Sequence, residues 1–157
     1  CPFCKRSNDQ VISRIDKEYI ETGKVKFVFR DFPLGFHKQA IPAAVAANCA
    51  GEQGKYWEVH DFLFQSKNNV NQAAVLNAAE SLGLDKAKLQ ACMDDPSKVA
   101  EVNKDMEEGK KYGVRGTPSY FIGKTNDSGE IEGTFIRGAQ PYNVFQAEID
   151  KQLKSVN

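Results

Sequence analysis

Apolar and polar residues recur along the chain with spacings that predict an order of helix, strand, helices, hairpin and helix. Near the start, Val11, Ile15 and Tyr19 lie at helical spacing, and Gly23 is a typical C-terminal stop. Residues 24–30 then alternate apolar and basic side chains, which predicts a strand that is buried on at least one face. A loop containing Pro and Gly follows this strand.

From this loop to about residue 112, every periodic segment predicts a helix. The predicted helices cover residues 40–51, 55–65, 71–83, 85–95 and 96–113, with breaks at Gly51, Gly54, the pair Asn68 and Asn69, Gly83 and Pro96. Strand signals return at residues 118–123 and 133–138, which flank a turn-like stretch and predict a hairpin. A last helix is predicted over residues 141–155, with Pro141 in its first turn. The predicted helices of residues 40–113 therefore lie between two parts of a sheet, the strand at residues 24–30 and the hairpin.

Composition narrows the classes of function. A chain of 157 residues has the usual size of one domain and is large enough to bury a core without disulfides or a metal. Its 21 Lys and Arg residues balance its 21 Asp and Glu residues, so no basic field favours nucleic acid or an acidic membrane surface. No apolar run approaches the roughly 20 residues that span a bilayer. We therefore expect a protein or a small molecule as the partner.

Two cysteines three residues apart, Cys1 and Cys4, enclose Pro2 and Phe3 at the start of the first predicted helix. Residues at this spacing share a helix face with Cβ atoms about 5–6 Å apart, close to the distance that a disulfide requires. Cys1 lies at the helix N-terminus, where free N–H groups and the helix dipole favour a thiolate, and a disulfide built on such a thiolate is easily opened. Cys4, one turn further into the helix, would be more buried, and its thiol would form or break the disulfide with Cys1.

Three other interpretations of this pair remain. A zinc site needs four ligands, and beyond the pair the chain offers only the single residues Cys49, Cys92, His37 and His60. The pair could form an inert structural disulfide, but closing so short a loop would constrain little chain entropy. The third interpretation is that the two cysteines have this spacing by chance. We expect no metal and no other cofactor. We interpret His37 as a loop or capping residue and His60, with the aromatic residues around it, including Trp57, as core.

A second motif, Gly116-Thr117-Pro118, stands at the start of the first hairpin strand. A proline there removes a backbone donor from the ladder and usually marks an edge or a functional feature. Taken alone, however, the motif is best interpreted as the end of a loop.

Together these features resemble the DsbA-like branch of the thioredoxin superfamily, the thiol-disulfide oxidoreductases. The matching stretches are CPFC opening a helix, VKFVFRDFPL, CAGEQGKYWEVHDFLF, GVRGTPSYFIG, and GTFIRGAQPY before the last helix. The resemblance covers essentially the whole chain. It implies an α/β thioredoxin fold with an all-helical bundle inserted between the second strand and the C-terminal hairpin. Residues 1–157 would form one DsbA-like domain, with a thioredoxin part (1–36 and 113–157) and a helical insert (37–112).

The resemblance also implies roles for the residues of both motifs. Cys1 would be the exposed, reactive cysteine and Cys4 its buried partner, with Pro2 and Phe3 as active-site neighbours. Gly116, Thr117 and Pro118 would bind a substrate strand, with Pro118 in the cis form that occurs in about 5–6% of X-Pro bonds. Phe3 stands where strongly oxidising members carry His, and it cannot donate a hydrogen bond to a Cys1 thiolate. This departure argues against an extreme oxidising potential.

The activity implied is disulfide exchange with cysteine-containing protein substrates, in the oxidising direction and outside the cytoplasm, as in the periplasm. A redox partner, which we expect to be membrane-bound, would recycle the pair. A reductase or isomerase would use the same residues in reverse. A binding or chaperone module without redox activity is the alternative from another class, although it would not need both thiols.

Two further expectations concern the rest of the chain. Cys49 and Cys92 should both point into the helical insert, where we expect a structural disulfide, with two buried free thiols as the alternative. In a thioredoxin fold, a strand that precedes the CxxC helix lies between the strand predicted at residues 24–30 and the first hairpin strand. We therefore expect an apolar strand of about five residues upstream of Cys1, preceded in the precursor by a secretory leader.

Overall fold

The computed structural model describes residues 1–66 and 71–155. The helix break predicted at Asn68 and Asn69 lies outside these residues. The chain divides into two compact units, which we call the CPFC unit (residues 1–29 and 114–157) and the helical unit (residues 30–113). The helical unit begins at Arg30, earlier in the chain than the sequence-based boundary at residue 37.

Helix α1 opens the chain and runs without a break from Pro2 to Ile20. It consists of four segments in series: α-helical Pro2–Ser7, π-helical Asn8–Ile12, α-helical Ser13–Ile15 and π-helical Asp16–Ile20. The remaining elements are α2 (Ala40–Gly51), α3 (Tyr56–Gln65), α4 (Gln72–Ala78), α5 (Lys86–Met93), α6 (Pro96–Lys111), β1 (Ser119–Thr125), β2 (Ile131–Arg137) and α7 (Tyr142–Lys154). The order of elements predicted from the periodicity is confirmed, except for one strand.

That exception is the strand predicted over residues 24–30, which is not formed: within the described ranges, β1 and β2 pair only with each other. A strand needs a backbone partner, and the start of this segment bonds instead to the end of α1. The N–H groups of Lys24 and Val25 both donate to the Tyr19 carbonyl, at 2.9 and 3.1 Å. Val25 nevertheless packs against the core of the CPFC unit. The strand expected upstream of Cys1 stays a prediction.

The hairpin is longer than its sequence signals predicted. β1 and β2 are antiparallel, in a register that runs from Ser119 opposite Arg137 to Thr125 opposite Ile131. The turn is shorter because the Asn126 side chain closes it: its Oδ1 accepts hydrogen bonds from the N–H groups of Ser128 and Glu130, at 3.1 and 2.9 Å.

The core of the CPFC unit lies between α1, one face of the hairpin and α7. Val11, Ile15 and Tyr19 of α1 are buried there with Phe145 and Ile149 of α7. Helix α7 begins at Tyr142, and Pro141 occupies the capping position before it rather than the first turn.

The helical unit has its own core, centred on α2. Its fully buried members include Val45, Ala46, Cys49, Ala50, Val59, Val75, Leu89 and Val102. Cys49 and Cys92 join α2 to α5 by a disulfide, with Cα atoms 5.8 Å apart. His60 is buried against Phe64, with ring centroids 4.6 Å apart, but Trp57 is 43% exposed, so its assignment to the core was wrong. No helix in residues 1–66 or 71–155 combines the length and apolar composition needed to cross a bilayer.

Candidate active site

The first turn of α1 positions the two thiols. Cys1 caps the helix, Pro2 occupies the first helical position, and the Lys5 N–H donates to the Cys1 carbonyl at 3.1 Å. Proline is well suited to this position because the N–H that it lacks would have no partner within the helix. Both cysteines are free thiols; Cys1 is exposed and Cys4 is half-buried. The helix start thus presents one thiol to solvent and shields the other.

The loop that contains Gly116, Thr117 and Pro118 lies beside these thiols. The Cys1 Sγ donates to the Thr117 carbonyl oxygen at 3.7 Å, across 116 positions of sequence. The bond between Thr117 and Pro118 is cis. The Ser119 hydroxyl donates to the Gly116 carbonyl at 2.7 Å, and the Gly138 N–H donates to the Pro118 carbonyl at 2.9 Å. The three motif residues are therefore held next to Cys1 by bonds to both hairpin strands or their ends.

The surroundings of Cys4 favour its neutral form. Burial raises the pKa of the Cys4 thiol, and a hydrogen bond with the Thr117 side chain offsets part of this rise. Thr117 therefore lies beside the thiol pair, and its carbonyl oxygen accepts from the Cys1 Sγ. It is the point where the two sequence motifs meet.

Sequence reasoning missed one feature of this region, a hydrogen bond one turn beyond Cys4. The hydroxyl groups of Ser7 and Tyr120 lie 2.6 Å apart, and Ser7 is buried. The only signal in the sequence is that Ser7 continues the three-residue spacing of Cys1 and Cys4. Its partner lies 113 positions away, and local pattern does not identify such a contact.

Phe3 forms part of the exposed rim of the site. Its ring is 56% exposed, and the guanidinium carbon of Arg6 lies 5.3 Å from the ring centroid. Beside this rim is a groove of about 400 Å³ between α1 and the loop before α7. Its lining residues are Arg6, Ser7, Gln10, Val11, Ala139, Gln140, Pro141 and Tyr142.

The other residues considered from the sequence are not part of this site. His37, His60, Cys49 and Cys92 belong to the helical unit, and the two cysteines there are bonded to each other. Within residues 1–66 and 71–155, no group of three or more His, Cys, Asp or Glu side chains is placed to hold a metal ion.

Comparison with known proteins gives matches along almost the whole chain. A family model described as thioredoxin matches residues 1–151. The disulfide bond formation protein D of Bacillus subtilis (strain 168) is 26% identical over 163 residues, a match that covers 98% of this chain and 68% of that protein. The crystal structure of alpha-DsbA1 from Wolbachia pipientis superimposes with a TM-score of 0.81 at 26% identity, covering 99% of this chain and 81% of that one.

Other matches cover only a small part of a much longer protein. The Na(+)/H(+) antiporter NhaA 3 of Salinispora tropica is 31% identical over 123 residues, which are 78% of this chain but only 18% of the antiporter. The chain spans the same small share of a second antiporter, from Salinispora arenicola. These matches concern one part of much longer proteins.

Proposed function

The chain belongs to the thioredoxin family, has a thioredoxin-like fold and resembles DsbA proteins along its length, and from this premise we propose that it exchanges disulfides with cysteine-containing proteins through Cys1 and Cys4. We propose the oxidising direction, as the name of its Bacillus subtilis relative suggests for that protein. The roles that the sequence analysis assigned to Cys1, Cys4 and residues 116–118 are part of this proposal.

The observation that carries the proposal is the unequal placement of the two thiols against one loop. Cys1 is exposed and its Sγ contacts the Thr117 carbonyl, whereas Cys4 is half-buried. An incoming thiolate therefore reaches the sulfur of Cys1 more readily than that of Cys4. A structural disulfide or a chance pair would not require this difference.

The reaction follows from this placement. With the pair oxidised, a substrate thiolate attacks the Cys1 sulfur; the bond to Cys4 breaks, and Cys4 leaves with the electron pair and takes up a proton. A second substrate thiolate then attacks the substrate sulfur of the mixed disulfide and displaces the Cys1 thiolate. The substrate loses two electrons and the pair gains them. Burial raises the pKa of Cys4, which favours protonation of this leaving group.

The turnover requires a second partner that removes two electrons from the reduced pair. We propose a membrane-bound redox protein for this role and the periplasm or an equivalent extracytoplasmic space as the compartment. Disulfides persist in such compartments, and the bond between Cys49 and Cys92 in the helical unit fits one of them.

Trapping of mixed disulfides tests the roles of the two thiols. In the Cys4→Ser variant, the Cys1 thiolate should accumulate covalent adducts with a disulfide-bonded peptide, because no second thiol resolves them. The Cys1→Ser variant is the matched control and should accumulate none, because its remaining thiol is shielded. Non-reducing electrophoresis and mass measurement give the yields, and equal trapping by both variants would contradict the assignment.

Equilibration of the pair against glutathione tests the direction. Family potentials range from about −270 mV for reductants to about −120 mV for strong oxidants. A value nearer the oxidising end supports the oxidase, and a value near −270 mV would favour a reductase. Failure of the wild-type pair to exchange at all would leave the peptide-binding or chaperone module as the better proposal.

A further inference from the structure

Ser7 and Tyr120 form a buried connection behind the thiol pair. Their hydroxyl groups are 2.6 Å apart, and Ser7 is 1% exposed. The Tyr120 ring packs edge-on against the buried Phe145, with centroids 4.9 Å apart, so the core fixes the position of its hydroxyl. A buried hydroxyl pair of this kind stabilises a fold only modestly, since water would satisfy both groups in the unfolded chain.

Ser7 and Tyr120 each lie three residues after a residue of the site. Ser7 lies three residues after Cys4, on the same face of α1. Tyr120 lies three residues after Thr117, and Thr117 is the residue whose carbonyl oxygen accepts from the Cys1 Sγ. Two contacts therefore join the start of α1 to residues 117–120, one through Cys1 and one through Ser7. Two points of attachment fix the helix against the strand more tightly than either would alone.

The surroundings of Tyr120 keep its hydroxyl protonated. Burial raises the pKa of Tyr120, the bond to Ser7 offsets part of this rise, and a negative charge on Cys4 adds to it. The Tyr120 hydroxyl therefore stays protonated at neutral pH and keeps its hydrogen bond to Ser7.

We propose that Ser7 and Tyr120 are positioning residues for the thiol pair: their hydrogen bond holds the first turns of α1 so that the Cys1 Sγ keeps its hydrogen bond to the Thr117 carbonyl in the reduced protein. This inference rests on the proposed function. A bond made to reduced Cys1 stabilises the reduced pair, which makes the oxidised pair the stronger oxidant. Loss of the connection should shift the pair toward its oxidised form.

Tyr120→Phe removes one hydroxyl group and keeps the ring. The equilibrium constant for reduction of the pair by glutathione should fall about threefold to tenfold, the worth of one neutral hydrogen bond. Ser7→Ala breaks the same bond from the other side and should give a similar fall. The double variant should fall no further than either single variant, because all three lack the same bond.

Tyr19→Phe is the matched control. Its hydroxyl also makes a buried bond from α1, to Asp150 at 2.7 Å, but at the far end of the helix from the cysteines. Tyr19→Phe should lower thermal stability without moving the glutathione equilibrium. A purely structural role for Ser7 and Tyr120 would give their variants the same behaviour as this control.

The outcomes separate this inference from the proposed function. If the wild type exchanges with glutathione and both Tyr120→Phe and Ser7→Ala keep its equilibrium constant, the positioning role is overturned and the proposed function stands. If the wild-type pair does not exchange, both fail. If one variant does not fold, the other decides.

Discussion

The disulfide between Cys49 and Cys92 gives the most quantitative prediction for the helical unit. The two residues are 43 positions apart in the sequence. In the chain-entropy model, closing a loop of this length removes about 4 kcal/mol of conformational freedom from the unfolded state at 25 °C. Replacing both cysteines by alanine also removes sulfur atoms from a packed region in which Cys49 is 1% exposed, which costs about a further 1 kcal/mol. We therefore expect the double variant to lose about 4–5 kcal/mol of unfolding free energy.

Urea unfolding followed by far-ultraviolet circular dichroism measures this loss. With a slope of about 2 kcal/mol per molar urea, the midpoint should fall by about 2 M. Reductant cannot replace mutagenesis here because it would also reduce the CPFC pair. Both proteins should therefore carry Cys1→Ser and Cys4→Ser, which leaves the bond in the helical unit as the only difference.

A midpoint shift below about 0.5 M would refute the entropic reasoning, because it corresponds to about 1 kcal/mol or less at this slope. It would mean that the unfolded chain without the disulfide already keeps residues near 49 and 92 close together. In enthalpic accounts of disulfide stabilisation, the free energy does not depend on loop length. A midpoint shift near 2 M therefore supports the chain-entropy model, and a shift below about 0.5 M does not.

Three further predictions concern single side chains. Gly133→Ala should lower stability by about 1–3 kcal/mol in urea unfolding, because a Cβ there would overlap the Ile122 carbonyl oxygen; an unchanged midpoint would contradict the register of the hairpin. Phe3→His should raise the reduction potential by about 30–60 mV against glutathione, the worth of a hydrogen bond of about 1.5–3 kcal/mol to a charged Cys1 thiolate. Burial raises the pKa of Asp31, so the folded state favours the protonated side chain. This contribution to stability is present below about pH 3.9 and is lost as the pH rises through the folded pKa of Asp31. Asp31→Asn should therefore raise the thermal midpoint at pH 7 but not at pH 3, and an equal effect at both would contradict this.

The parts of the structure that the sequence predicted are those that local chemistry determines. Pro2 at the first position of a helix, the apolar stripe of α1 and the helices of the insert depend on residues a few positions apart. The thioredoxin fold with its helical insert was implied by the resemblance to the DsbA-like family, and the comparisons confirm it. Contacts of this range are set by periodicity and capping, which a sequence displays directly.

The parts that it did not predict depend on distant partners. Residues 24–30 alternate as a strand does, but alternation cannot supply the backbone that a strand pairs with. The aromatic pattern of α3 placed Trp57 in the core because it could not show which neighbours pack there. Ser7 looked like an ordinary polar residue on a helix, since nothing near it in sequence marks Tyr120 as its partner.

The geometry of α1 explains how the site and the core share one helix. Its buried residues Ser7, Val11, Ile15 and Tyr19 are spaced by four, and in an α-helix four residues overshoot a full turn by about 40°. Three such steps would turn the stripe about 120° away from the core. The two π-helical segments hold more residues per turn and correct this drift, with bonds such as that from the Glu21 N–H to the Asp16 carbonyl at 2.8 Å. The stripe therefore stays on one face down to Ser7, where the spacing changes to three. Each step of three falls about 60° short of a full turn, which takes the helix surface from the buried Ser7 through the half-buried Cys4 to the exposed Cys1.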